Sequence, residues 1–269
     1  MKEWIQIIRP LNALMSGASV LIVTLAIGKS LLNFLVLLGF IVTFFTTSGG
    51  NVLNDYLDRE VDIINHPERP IPSGKISPSE AIIYAGVLFS ISIFVSIFIG
   101  IIPFFIDILA IVLLYSYESK TKNLGIYGNL TISLLLLLLF IFTGSIFNKY
   151  ELPLILGSMA FFATLGREIT KDVEDMAGDF NRVTLPKKIG KRNALYIASI
   201  FYFIGVIISP VPYFLNYFGI YYIYVVIISD IIFIYSLLEQ FKSPKNGQNI
   251  AKYAMIIGLI SYVIGGILK

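Results

Sequence analysis

Apolar residues fill long, unbroken blocks of this 269-residue chain, and polar residues collect in the short gaps between them. The stretch 31–45 is almost wholly apolar. Continuous apolar runs read as helices, whereas strands would alternate. Runs of about 20 residues match the thickness of a bilayer core. Lipid offers backbone groups no partner, so only helices or closed barrels span it. The pattern predicts nine spans: about 11–28, 31–53, 79–100, 103–119, 126–146, 152–170, 193–209, 211–238 and 249–268. Tight turns at Gly100 to Pro103 and Ser209 to Pro212 separate neighbouring spans. The expected fold is an all-α integral membrane protein with one domain, residues 1–269.

Composition agrees. Hydrophobic residues make up 57% of the chain and charged residues 14%, against about 25% charged in a soluble domain. The first span lacks a small-residue cleavage site and further spans follow at once, so it does not read as a cleaved signal. There is no cysteine, which excludes disulfides, thiolate metal sites and cysteine nucleophiles. A single histidine, His66, excludes multi-histidine zinc sites. With nine spans, only Lys29, Lys149 and Lys269 of the twenty Lys and Arg residues fall on the side opposite the N-terminus. The positive-inside rule then makes the N-terminal side cytoplasmic.

On that side two apolar spans end in acid. GGNVLNDYLDREVD carries Asp55, Asp58, Glu60 and Asp62; GREITKDVEDMAGDFNR carries Glu168, Asp172, Glu174, Asp175 and Asp179. Asp55, Asp58 and Asp62 repeat the spacing of Asp172, Asp175 and Asp179, with Asn51 and Glu168 four residues before each set, all at an offset of 117. Downstream, ERPIPSGKIS and NRVTLPKKIG both set an Arg before an apolar–Pro pair. The chain therefore reads as a pseudo-repeat of four spans plus four, with a ninth helix extra. Repeats in membrane proteins often place the site between the halves.

Positions i, i+3 and i+7 share one helix face, so each set forms an acidic stripe from which Glu60 and Glu174 point away. Carboxylates so placed repel one another unless a cation joins them. Oxygen-only ligands suit Mg²⁺, Ca²⁺ or Mn²⁺. Mg²⁺ is usually held by one or two carboxylates together with substrate phosphates. Two facing stripes would clamp a diphosphate, and its charge calls for the cations on the same side: Arg59, Arg69, Lys75, Lys120, Lys122, Arg167, Lys171, Lys187 and Lys188. Loss of diphosphate from an allylic isoprenoid is aided by a metal Lewis acid. The lipid tail would lie among the helices, where the allylic cation is shielded from water.

Plainer readings compete. The stripes could be solvated helix ends, and repeats with intramembrane acids also fit a transporter. Lys187 to Arg192 could be a topology signal beside anionic headgroups. Asp230 and Asp107 favour structural hydrogen bonds over the functional role that intramembrane acids often have. His66 reads as a surface residue. Tyr213, Tyr217, Tyr221, Tyr222 and Tyr224 read as interfacial belt and packing. Gly49 and Gly50 would allow close helix approach.

The motifs also carry a resemblance. NDYLDREVD resembles the first aspartate-rich motif of the UbiA family of intramembrane prenyltransferases, and KDVEDMAGD the second. YSYESKTKNLGIYGN resembles that family's segment after the fourth span, and RPLNALMSG its start of span one. The resemblance implies a helical bundle around a central cavity, capped on the cytoplasmic side, and Mg²⁺-dependent prenyl transfer from a polyprenyl diphosphate. It implies that Asp55, Asp58, Asp172 and Asp175 hold Mg²⁺ and diphosphate, and that Asp62 and Asp179 hold metal or order the cap. Asn51 and Asn54 would serve the first metal site. Lys120 with Tyr115 would reach the diphosphate or acceptor, and Arg69 and Lys171 would bind phosphate oxygens. Arg59, Lys122, Arg167, Lys187 and Asn12 complete the substrate-binding candidates.

GREITKDVEDMAGD followed by TLPKKIG is similar to the family's archaeal branch that prenylates geranylgeranylglyceryl phosphate. That implies transfer of a geranylgeranyl group from its diphosphate to a lipid-phosphate acceptor, forming the second ether bond of archaeal membrane lipids. The acceptor's own phosphate would need a second cationic patch, from Lys187, Lys188, Lys191 and Arg192 or from Lys120 and Lys122. An aromatic acceptor (a quinone precursor, haem or chlorophyllide) remains an alternative. No nucleic acid and no obligate protein partner is implied.

Overall fold

The structure is a computed structural model that describes residues 2–176 and 183–268. Every regular element among the described residues is helical. Nine are long: α2 (Pro10–Ala26), α3 (Phe34–Leu57), α5 (Pro78–Ile97), α6 (Ile101–Ser119), α7 (Ile126–Ser145), α8 (Glu151–Asp175), α10 (Lys191–Ile208), α12 (Ile220–Glu239) and α13 (Pro244–Ile267). The short ones are α1 (Lys2–Ile7), α4 (Arg59–Asn65), α9 (Leu185–Ile189) and α11 (Val211–Phe214), with a 3₁₀ turn at Thr121–Asn123. Eight of the long helices are long and apolar enough to cross a membrane, and α2 is a shorter apolar helix of 17 residues. That gives the predicted nine.

Local chemistry starts the helices. Asn33 accepts the Leu35 backbone N–H at the start of α3. Ser77 and Glu80 form a reciprocal capping box at α5, with Pro78 in its first turn; Pro fits there because that N–H has no helical partner. Two boundaries differ from expectation. The predicted span 211–238 is split: α11 ends at Phe214, Asn216 turns left-handed at φ 59, and α12 begins at Ile220 after Gly219. Pro210 and Pro212 can open a helix but not continue one. Second, α3 and α8 run past the predicted 53 and 170 to Leu57 and Asp175, so both acidic motifs begin on extra turns of the spanning helices.

The bundle repeats its own packing. Helix α3 lies against α2 and α5, and α8 lies against α7 and α10. The extra helix α13 packs on α12, α8 and α2 and so closes the bundle. A glycine serves each crossing of a motif helix. A Cβ at Gly49 would lie 2.7 Å from the Phe89 ring of α5, and one at Gly166, 117 residues later, 2.9 Å from the Tyr202 ring of α10. Small residues let helices approach closely where no hydrophobic drive exists between them. Outside, large apolar side chains such as Ile83, Phe94, Ile200 and Ile231 are exposed, as a lipid-facing belt requires. Of the tyrosine group, Tyr221 and Tyr224 are exposed, whereas Tyr222 is buried and donates to the Ser209 carbonyl at 2.6 Å. Tyr217 donates to Glu151, and that hydrogen bond raises its phenol pKa above the ordinary value.

A cavity of about 350 Å³ lies among α2, α3, α6, α7 and α8. Thr47 from α3 and Thr164 from α8 both line it, and they too stand 117 residues apart. A second cavity of about 200 Å³ lies among α2, α7, α8, α10, α12 and α13, and Leu136 borders both.

Gly49→Leu is expected to lower thermal stability in detergent by about 1–3 kcal/mol, the usual cost of overpacking. Gly86→Leu on α5, whose Cβ position meets nothing within 4 Å, is expected to leave the melting temperature unchanged.

Candidate active site

The end of α3 buries acid, and three cations meet it. Asp55 is 2% exposed and Asp62 4%. Arg9 Nη2 donates to Asp55 Oδ1 and to Asn54 Oδ1, the latter at 3.0 Å. Arg69 Nη1 donates to Asp62 Oδ2 at 2.6 Å and lies 3.6 Å from Asp55 Oδ1. Lys122 Nζ donates to Asp58 Oδ1 and to Glu118 Oε2, the latter at 3.1 Å. Asn54 Nδ2 joins the acids by donating to Asp58 Oδ2 at 2.9 Å and Glu118 Oε2 at 2.7 Å.

The backbone strains to make this. Arg9 sits at φ 49, ψ 67, before Pro10, as the N-cap of α2. A non-glycine residue in the left-handed region costs about 1–3 kcal/mol and persists where its surroundings dictate it. Asn51 helps to hold it there, since its Nδ2 donates to the carbonyl of Ile8 at 2.8 Å. The predicted stripe is broken but kept in register. Asp58 ends α3 and opens α4, while the Asp58 N–H still reaches the Asn54 carbonyl and the Asp62 N–H the Asp58 carbonyl. Glu60 is exposed.

The second motif continues α8 without a break. Asn129, in the first turn of α7, donates to Asp172 Oδ2 at 2.8 Å. Asp175 is exposed, and Asp179 lies outside the described residues. Thr170 donates to Gln240 Oε1 at 2.7 Å, and Gln240 Nε2 donates to Ser199 Oγ at 2.8 Å. Gln248 donates to Glu174 at 3.1 Å. These bonds brace the end of α8 against α10, α12 and α13. The two halves thus share a device. The start of α2 sends Arg9 to the first Asp of one motif, and the start of α7 sends Asn129 to the first Asp of the other.

Several expected residues stand elsewhere. Tyr115 is 59% exposed and Lys120 is exposed, and Lys122 fills the place by Asp58 instead. Arg59 stays on its own turn, donating to the Tyr56 carbonyl at 2.8 Å with its guanidinium 4.8 Å from that ring. Arg167 donates to Glu168 at 2.6 Å. Lys171, Lys187 and Asn12 are exposed. His66 is exposed, with Nδ1 3.6 Å from Glu68. Sequence reasoning missed Arg9, Glu118 and Asn129 as site residues. The repeat offset could have found Asn129, which stands 117 residues after Asn12.

Among the described residues no three carboxylate or imidazole side chains gather closely enough to hold one ion. The donors at the end of α3 are Asp55, Asp58, Asn54 and Glu118, all oxygen, and the Asp58 side chain is 25% exposed. That set suits Mg²⁺ shared with substrate phosphates, and it does not suit a closed protein cage.

The sequence profile described as "UbiA prenyltransferase family" matches residues 14–260. This chain belongs to the UbiA prenyltransferase family. It is similar to digeranylgeranylglyceryl phosphate synthase of Methanosphaera stadtmanae, 40% identical over 99% of this chain and 100% of the relative. The protein of that name from Methanothermobacter thermautotrophicus is 38% identical over 98% of this chain and 96% of the relative. A solved structure of a digeranylgeranylglyceryl phosphate synthase superposes with TM-score 0.90 at 34% identity, over 99% of this chain and 98% of the other. A UbiA homologue from Archaeoglobus fulgidus bound to DMAPP and Mg²⁺ shares the fold, with TM-score 0.73 at 20% identity, over 97% of this chain and 99% of that one. This UbiA chain is therefore a multi-pass membrane prenyltransferase.

Lys122 is 7% exposed at its side chain. Lys122→Met is expected to destabilise the fold by about 3 kcal/mol, the cost of stranding a buried partner charge. Melting with EDTA and with excess Mg²⁺ checks it; the loss should shrink in Mg²⁺.

Proposed function

We propose that this prenyltransferase transfers a geranylgeranyl group from geranylgeranyl diphosphate to the free hydroxyl of geranylgeranylglyceryl phosphate, forming the second ether bond of archaeal membrane lipids. One observation carries the chemistry. Two acid-tipped helices flank a single cavity, lined chiefly by apolar side chains, with equivalent residues, Thr47 and Thr164. A diphosphate at the acid end can extend its lipid tail into that cavity, which meets the second apolar cavity at Leu136. The acceptor reading draws support from the names of relatives that match nearly the whole chain.

In this reading Asp55, Asp58, Asp172 and Asp175 hold Mg²⁺ with the diphosphate. Bound there, Mg²⁺ supplies Lewis-acid stabilisation of the leaving group. The C–O bond between the allylic carbon and the diphosphate breaks, and the electron pair leaves with the diphosphate. The acceptor hydroxyl oxygen forms the new C–O bond, and its proton leaves with the diphosphate. Arg9, Arg69 and Lys122 offset the acids at the end of α3 and turn positive charge toward the departing anion. Asp62, already paired with Arg69, orders the segment after α4. The cavity walls keep water from the allylic cation. Lys187, Lys188, Lys191 and Arg192, all exposed on one short stretch, receive the acceptor's phosphate. The acid end faces the cytoplasm, in keeping with the basic loops around it.

Asp55→Ala and Asp172→Ala are each expected to cut turnover by about 10³-fold or more, with the circular dichroism spectrum unchanged. The assay supplies geranylgeranyl diphosphate, Mg²⁺ and either geranylgeranylglyceryl phosphate or 4-hydroxybenzoate, with and without EDTA. A doubly prenylated glyceryl phosphate that disappears with chelator is the expected product; prenylated benzoate alone would replace the acceptor. The absence of cysteine permits a direct topology check. Lys75→Cys should be shielded from a membrane-impermeant maleimide in intact cells, and Lys29→Cys should be labelled.

A further inference from the structure

Asp107 lies away from the acid motifs, seven residues into α6, and it is the one ionisable side chain among the described residues lining the 350 Å³ cavity. It is 3% exposed, beside Thr46 of α3 at 7% and Ser92 of α5 at 0%. Three short oxygen–oxygen contacts close a triangle. Thr46 Oγ1 is 2.6 Å from Asp107 Oδ1, Ser92 Oγ is 2.6 Å from Asp107 Oδ2, and the two hydroxyl oxygens are 2.5 Å apart.

Each contact of that length needs a proton between its oxygens. Thr46 and Ser92 bring one proton each, and an ionised carboxylate brings none. Two protons cannot serve three contacts; one pair of oxygens would face each other bare in a medium of low dielectric. A protonated Asp107 supplies the third. It then donates to Ser92, Ser92 donates to Thr46, and Thr46 donates to the other carboxyl oxygen. Every member donates once and accepts once. No cationic side chain lines the cavity among the described residues, and an unpaired carboxylate in hydrocarbon neutralises instead of staying charged.

We propose that Asp107 is a positioning residue that acts as a neutral carboxylic acid, closing a hydrogen-bonded ring that ties α3, α5 and α6 beneath the first acid cluster. Two of these helices carry that cluster: α3 bears Asn54 and Asp55 in its last turn, and α6 bears Glu118 in its last turn. Thr46 lies nine residues before Asp55, about 13.5 Å along the helix. The ring sets the spacing that lets Asn54 reach Glu118. Being neutral, it also adds no charge to the cavity wall, so an allylic cation is not drawn away from the acid end; this part rests on the reaction proposed above.

The wild-type protein, Asp107→Asn and Asp107→Leu decide it. Asparagine can donate to Ser92 and accept from Thr46, so it preserves the ring; leucine cannot. The wild-type minus Asp107→Asn infrared difference spectrum at neutral pH should contain the carbonyl stretch of a protonated carboxylic acid. Asp107→Asn should keep the wild-type melting temperature and kcat/KM to within about twofold, and Asp107→Leu should lose about tenfold or more in kcat/KM and melt earlier. Carboxylate bands in place of the acid carbonyl, or an Asp107→Asn variant as impaired as Asp107→Leu, would overturn the proposal. The infrared band and the order of melting temperatures need no substrate, so they judge the ring even if the assigned acceptor is wrong. If Asp107→Leu fails to fold, the band and the asparagine variant still decide.

Discussion

A carboxylate can be buried inside a lipid-embedded helical bundle only if a positive charge meets it or a proton stays on it. The first half of this protein obeys that constraint in both ways. Arg9, Arg69 and Lys122 reach the acids at the end of α3. Deeper, where among the described residues no cation lines the cavity, Asp107 meets the hydroxyls of Thr46 and Ser92. The cost of burial is what draws α1, α2, α4 and the 3₁₀ turn onto the end of α3. It also explains why Arg9 tolerates a left-handed backbone, since the guanidinium has to arrive from that corner.

The duplicated halves solve the same problem unequally. Each motif helix crosses its neighbour at a glycine, Gly49 or Gly166, and each receives a polar side chain from the start of the preceding span. The first half delivers a cation to Asp55, and the second delivers a neutral amide to Asp172. Hydrogen bonds through Thr170, Gln240 and Gln248 brace the end of α8 against its neighbours. The two motifs thus share their spacing and the direction from which a polar side chain arrives, and they differ in its chemical type, a guanidinium for Asp55 and an amide for Asp172.

Close helix approach and water exclusion follow from the same geometry. The glycines bring α3 against α5 and α8 against α10, which leaves the cavity between the motif helices. Its lining is mostly leucine, isoleucine, valine and threonine, so the cavity is chiefly apolar and the acids stand apart from it at the helix ends. Sequestering a reactive cation from water needs that separation.

Much of this was legible in the sequence because bilayer physics leaves few choices. Backbone satisfaction in lipid forces helices, and the length of a span counts them. The offset of 117 residues disclosed the repeat and both acidic motifs. What the sequence could not reveal was which side chains meet those acids. Arg9 reaches Asp55 across 46 positions, Lys122 reaches Asp58 across 64, and Asn129 reaches Asp172 across 43. Such pairings depend on how whole helices rotate and cross, and the small residues and bulk at each crossing set that. The phase of α6 sends Tyr115 outward while Glu118 turns in; the 3₁₀ turn then leaves Lys120 exposed and brings Lys122 to Asp58. Periodicity names the faces of a helix, and only packing decides which face looks inward.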